Sequence, residues 1–174
     1  MHVEPTNLRG VNIVRSEAVS DERGSFCSLY DSEILARAGI VFAPLQGGLS
    51  VNLKVGTLRG LHYQKPPAVQ AKLVRCLRGR LFDVVLDIRA CSPTFGQWYG
   101  RELAEDDGCA IFIPAGLAHG FLTLRDDTEV LYELGANEKS GLAAGIRWND
   151  PRFKIAWPAE PMVLNARDAT WPDY

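Results

Sequence analysis

Leu81-Phe82-Asp83-Val84-Val85-Leu86-Asp87-Ile88-Arg89 decides the architecture. Phe82, Val84, Leu86 and Ile88 share one face, and Asp83, Val85, Asp87 and Arg89 share the other, the period of a half-buried β-strand. Working outward, the same signal recurs on both sides. Upstream, Lys72 to Leu77 reads as a strand ended by a hairpin-type break at Arg78-Gly79-Arg80. Before it, Leu49, Val51 and Leu53 alternate with Ser50, Asn52 and Lys54. Downstream, Cys109-Ala110-Ile111-Phe112-Ile113 is a continuous apolar run stopped by Pro114-Ala115-Gly116, which fits a strand buried on both faces. Val130, Tyr132 and Leu134 then alternate with Glu129, Leu131 and Glu133. Residues 8 to 30 read as short strands joined by turns, with Val11, Ile13 and Val14 in one and Ser25 to Tyr30 in another, around the polar turn Asp21-Glu22-Arg23-Gly24. One helix interrupts this pattern: Asp31 caps it, Ile34, Leu35 and Ala38 form its apolar stripe, and Gly39 ends it. Many short, evenly spaced strands predict an all-β jelly roll with one or two short helices.

The chain has 174 residues, enough for a single domain over 1–174 with a sizeable core. Its hydrophobic content of 47% and charged content of 23% are ordinary for a globular protein. A net charge of -2 gives no electrostatic reason to expect nucleic acid or an anionic membrane as partner. Met1-His2-Val3-Glu4-Pro5 does not open a signal peptide and reads as a frayed end, and no apolar run is long enough to span a bilayer. The four cysteines, Cys27, Cys76, Cys91 and Cys109, are widely spaced and read as reduced thiols, mostly in the core, so a cytoplasmic setting is expected. Trp148, Trp157 and Trp171, with prolines at 151, 158, 161 and 172, suggest an irregular C-terminal arm packed on the barrel or on a second copy.

Chemistry points to Gly56-Thr57-Leu58-Arg59-Gly60-Leu61-His62-Tyr63-Gln64, where Gly56 and Gly60 allow close backbone approach beside a histidine. Taken alone, such a histidine is more often a satisfied structural residue. Small β-barrels that bind metal need two or three histidines and a carboxylate, commonly spaced HxH. Here His62 and His119 are isolated and His2 is terminal, so no metal site is expected. Acid–base chemistry needs an orienting carboxylate for His62, and Asp83, Asp87 and Asp168 are all candidates. Tyr132 could bring a phenol inward, although a core aromatic is the ordinary use of such a residue. Lys72 opens a strand whose next same-face residue is Val74; pointed inward, it would be a cation awaiting an anion.

Taken together, these residues resemble the dTDP-4-dehydrorhamnose 3,5-epimerase family. The likeness rests on Gly56 to Gln64, Lys72-Leu73-Val74-Arg75-Cys76, Ile113-Pro114-Ala115-Gly116-Leu117-Ala118-His119-Gly120-Phe121 and Arg147-Trp148-Asn149-Asp150-Pro151. These motifs occur in order within a match running from about Asp21 to Asp168. The resemblance implies a homodimeric cupin without metal or other cofactor, acting on nucleotide-diphosphate 4-keto-6-deoxy sugars. It implies that His62 removes the proton beside the ketone, with Asp168 completing the dyad. Tyr132 would be the proton donor and Lys72 would sit at the keto oxygen. Arg23, Phe26, Gln46, Arg59, His119 and Arg167 would join Lys72 in binding substrate.

The chain departs from the family pattern at Ser28, where Glu or Arg is usual, and near Gly48, where Asn is common. It departs again at Asn137–Glu138, where a second tyrosine is usual, and at about Ala143, where glutamate is often found. The proton-transfer set is intact while the nucleotide-facing set is altered, so a shifted nucleotide or sugar preference is expected. Inversion at C3, at C5 or at both stays open, as does a binding protein without catalysis.

Overall fold

The structure is a computed structural model describing residues 1–174. It contains thirteen strands and two short helices. The N-terminal part supplies β1 (His2–Pro5), β2 (Asn12–Arg15), β3 (Ala18–Asp21), β4 (Gly24–Cys27) and α1 (Ser32–Arg37). The central part supplies β5 (Gln46–Asn52), β6 (Leu58–Gln64), β7 (Lys72–Arg78), β8 (Arg80–Asp87) and β9 (Trp98–Ala104). After these come β10 (Cys109–Ile113), β11 (Leu117–Thr123), β12 (Thr128–Leu134), β13 (Ala143–Gly145) and α2 (Ala166–Ala169).

Two antiparallel sheets face each other. One is ordered β1-β2-β10-β7-β12-β5 and the other β13-β6-β11-β8-β9, while β3 and β4 form a separate hairpin. The expected jelly roll is what the chain forms. Val74 and Cys76 from one sheet meet Leu81, Val85 and Phe121 from the other, with Ile111, Ile113 and Val130 filling the space between. β10 lies between β2 and β7 and is buried throughout, as its unbroken apolar run predicts.

Two expectations are corrected. The first residues are not frayed: β1 pairs antiparallel with β2 in the register His2↔Arg15, and His2 bonds Glu4. Nor is β8 half-buried. Its alternation is real, but both faces are covered from Leu81 to Asp87, apart from the partly buried Phe82. Leu81 and Val85 enter the core between the sheets, whereas Val84 and Leu86 pack with Ile146 and Phe153. The C-terminal arm therefore covers the outer face of its own barrel. Trp157 donates to the Trp148 carbonyl at 2.9 Å, and Trp171 lies so close over Gly145 that no side chain would fit there.

Of the four cysteines, all free, Cys76 and Cys109 are buried while Cys91 is exposed and Cys27 intermediate, so only half are core residues. In α1, Asp31 Oδ1 caps the N–H groups of Glu33 and Ile34, Leu35 is buried, and Gly39 takes φ +79°. Ala38 stays exposed, so the apolar stripe is narrower than the sequence suggests. No helix is long and apolar enough to cross a membrane.

Candidate active site

Register decides which side chains meet between the sheets. Across β6 and β11, His62 pairs with His119 and Arg59 with Phe121, with an irregularity between them. Two residues, Gly60 and Leu61, thus stand opposite the single Gly120, a β-bulge that brings Arg59 and His62 to the same face. Glycine is required at this point. Gly60 has φ +137°, and a Cβ there would lie 2.5 Å from Gly120 Cα. The bulge also leaves the Gly60 N–H free of the ladder, and Asp168 Oδ2 accepts it at 3.2 Å.

Asp168 therefore reaches the back of His62. Its Oδ1 lies 2.7 Å from His62 Nε2, and Trp171 Nε1 donates to the same oxygen at 3.3 Å. Asn165 caps α2 by accepting the Asp168 N–H at 2.7 Å, which fixes the carboxylate from behind. Burial opposes ionisation of Asp168, but the bonds from His62, Gly60 and Trp171 outweigh it and hold the carboxyl below its ordinary value. Among the three candidate partners, geometry selects Asp168. Asp83 instead bonds His119 at 2.8 Å, and Asp87 is taken up by Arg89, Ser92 and Thr94.

Across β7 and β12, Lys72 pairs with Leu134 and Val74 with Tyr132, so the ammonium and the phenol share the inner face. Lys72 is buried and its Nζ lies 3.4 Å from the His62 carbonyl oxygen. Burial pulls its pKa down to about 8, against the opposing pull of Asp83 and Glu138. Burial likewise raises the Tyr132 phenol, which stays protonated at neutral pH. His62, Lys72, Tyr132, Glu138, Ala143 and Arg167 line a cavity of about 280 Å³, together with Gln64 and Gln70. Arg167 holds its guanidinium 4.8 Å from the Trp171 ring centroid and donates to the Ala143 carbonyl.

Other expected binding residues fall elsewhere. His119 is only 2% exposed, its ring 5.9 Å from that of Tyr132, and its Nε2 bonds Asp83 at 2.8 Å. Arg59 is exposed, gives its Nε to Asn52 Oδ1 at 2.8 Å, and does not line the cavity. Gln46 is at the rim, where its Oε1 accepts the Glu138 N–H at 3.0 Å. Arg23 and Phe26 lie on the exposed β3–β4 hairpin and do not line the cavity, and Arg23 is paired with Asp21. Of the four departures from the family pattern, Glu138 and Ala143 line the cavity. Gly48 pairs with Tyr132 on β5, and the Ser28 hydroxyl bonds the Tyr30 carbonyl outside it. Sequence reasoning missed the Asp83–His119 pair, although Asp83 already stood out as an acid on a face shared with Val85. It also missed Gln64, whose position two residues from His62 on one strand was a usable signal. Nothing before Lys72 marked Gln70. Nowhere do three or more His, Cys, Asp or Glu side chains gather as metal ligands would.

The jelly-roll barrel thus gathers an oriented imidazole, a buried ammonium and a protonated phenol around one cavity, an arrangement suited to acid–base chemistry. Comparison with known proteins narrows this. The profile of the dTDP-4-dehydrorhamnose 3,5-epimerase family matches residues 5–174. An enzyme of that description from Sinorhizobium fredii is 36% identical over 173 residues, covering 99% of this chain and 89% of its own. The crystal structure of the Bacillus anthracis enzyme, with TDP and pyrophosphate bound, superposes with a TM-score of 0.95 at 34% identity, covering 99% of this chain and 98% of that one. A 3'-monoepimerase from Streptomyces bikiniensis, in complex with dTDP-quinovose, gives 0.90 at 33% identity, covering 99% and 87%. The chain belongs to the dTDP-4-dehydrorhamnose 3,5-epimerase family.

Proposed function

We propose that this protein, a single cupin-like epimerase domain over 1–174, inverts C3, C5 or both in a nucleotide-diphosphate 4-keto-6-deoxy sugar. The observation that carries the reading is the convergence of His62, Lys72 and Tyr132 on one cavity, with Asp168 bonded behind the imidazole. A proton beside a ketone becomes removable once the developing enolate oxygen meets a fixed positive charge. Lys72 supplies that charge from within the barrel. His62 takes the proton; with Nε2 engaged by Asp168, Nδ1 is the nitrogen left for it, and the aspartate stabilises the imidazolium. Tyr132 returns a proton from the opposite face of the ring, and inversion follows. The four free thiols support a reducing, cytoplasmic setting.

Incubation with nucleotide-4-keto sugars in heavy water tests the reading, with deuterium followed separately at C3 and C5. Uptake at one or both positions is expected. No exchange with any of them would leave only a sugar-nucleotide-binding protein. The altered rim at Glu138 and Ala143 supports a preference shifted from the thymidine-linked 4-keto-6-deoxyglucose. Ordinary efficiency with that sugar at both carbons, while the others lag, overturns the shift and leaves the chemistry standing.

The working unit in this reading is a homodimer. Val19 and Phe26 on the hairpin are each 76% exposed, and the edge strand β5 leaves Leu49 and Val51 about half exposed. A second copy would cover these residues and bring Arg23 and Phe26 to its partner's cavity. Light scattering at micromolar concentration should give twice the chain mass, and a monomer would remove this part of the proposal.

A further inference from the structure

Glu138 is the only acidic side chain lining the cavity, and it forms no ion pair with any arginine, lysine or histidine. Its backbone is anchored at the rim, where Gln46 Oε1 accepts the Glu138 N–H at 3.0 Å, and its side chain lines the same cavity as Lys72. If the cavity receives a diphosphate sugar, a free carboxylate there repels the substrate. Such a group has a use only if it serves another group in the site. We propose that Glu138 is a positioning residue for the proposed epimerisation, a carboxylate at the mouth of the cavity that keeps the buried Lys72 in its ammonium form. The inference rests on the proposed function for its purpose, but the electrostatic coupling itself does not.

Lys72 needs such support. Its ammonium is buried among Val74, Ile113 and the inner faces of both sheets, where the charged form is disfavoured. The charged and titratable groups around it are few. Asp83 on β8 faces it but already bonds His119 of β11, which burial keeps neutral. β6 offers His62, through its carbonyl and imidazole, and Arg59, which is turned to Asn52. β12 offers the protonated Tyr132, and α2 brings Arg167, a cation that works against Lys72 from its place over Trp171. Glu138 is thus the one negative charge near Lys72 that no other side chain claims. Gln46, in the same account, holds the Glu138 backbone at the cavity rim.

Carbon-13 NMR of protein labelled at the lysine ε-carbons reads the effect without substrate. The Lys72 signal is assigned by its loss in Lys72→Met. In the native protein it should titrate near 8. In Glu138→Gln, which keeps the shape and removes the charge, the midpoint should move to lower pH, and in Glu138→Asp it should move back toward the native value. The alkaline limb of the exchange rate should follow, with a loss of about twofold or more at pH 8 in Glu138→Gln and little change near pH 6. An unchanged Lys72 midpoint in Glu138→Gln overturns the proposal, as does an equal loss of exchange at every pH. A native protein that titrates as described yet exchanges no sugar proton would instead overturn the proposed function and leave the coupling intact.

Discussion

Two histidine–aspartate pairs lie side by side in this barrel, and they differ in almost everything except their bond length. His62–Asp168 spans 2.7 Å and His119–Asp83 spans 2.8 Å, and the two histidines are register partners on β6 and β11. The His62 side chain is 42% exposed and opens on the cavity, whereas that of His119 is 2% exposed. Burial pulls the His119 pKa below its ordinary value despite the neighbouring carboxylate, so the imidazole stays neutral. One pair can exchange a proton with a ligand; the other is a hydrogen-bonded strut under Tyr132. Access, not residue identity, separates the proposed base from its buried neighbour.

Removing the base should have the largest effect. His62→Ala or Asp168→Asn should lower ring-proton exchange by about 10²–10⁴, the usual range for a general base. Folding should persist in His62→Ala, read as an unchanged near-ultraviolet circular dichroism spectrum, because the His62 side chain is already 42% exposed. Full exchange in either variant would force the base to be sought elsewhere. The buried pair predicts the reverse balance. His119→Ala leaves Asp83 without its partner, and Asp83 Oδ1 already lacks one. Denaturant unfolding should show a loss of about 2–4 kcal/mol, while exchange measured on the fraction that remains folded falls much less than in His62→Ala. A rate loss equal to that of His62→Ala, with stability untouched, would make His119 part of the reaction.

The comparison also shows what was legible in the chain itself. Many short, evenly spaced strands were enough for an all-β jelly roll, whereas the phase of Lys72 with Val74 left open whether the ammonium points inward, as burial shows it does. The coverage of β8 on both faces was not legible, since it depends on Ile146 and Phe153 arriving from a distant arm with no regular pattern. For the same reason residue spacing left Asp83, Asp87 and Asp168 as equal candidates. Asp168 reaches His62 only because a glycine bulge frees the Gly60 N–H and a capped helical turn aims the carboxylate at it. Family resemblance supplied that partner, and also placed His119 among the ligand contacts, although its ring is buried and bonded to Asp83. Arg23 and Phe26 show a different limit: both lie on the exposed β3–β4 hairpin, and only the proposed dimer would bring them to a cavity.

The smallest expected effect separates the two pairs by pH. His119 has its folded pKa below the unfolded value of 6.5, so the fold prefers the neutral ring. Stability from this group is complete above that value and is lost as pH falls below it, because the unfolded chain binds the proton more readily. Asp168 has its folded pKa below 3.8, so its contribution is complete above that value and is lost only at lower pH. The two pairs thus act in successive windows. Each group can contribute at most about 1.4 kcal/mol per pH unit within its window. Stability of the native protein, measured by urea unfolding, should therefore decline from about pH 6.5 downward. His119→Gln should flatten the decline just below about pH 6.5 and leave the acid limb, while Asp168→Asn should soften only the acid limb. If His119→Gln keeps the native slope in the upper window, the imidazole is charged in the fold, and the pair with Asp83 is an ion pair after all.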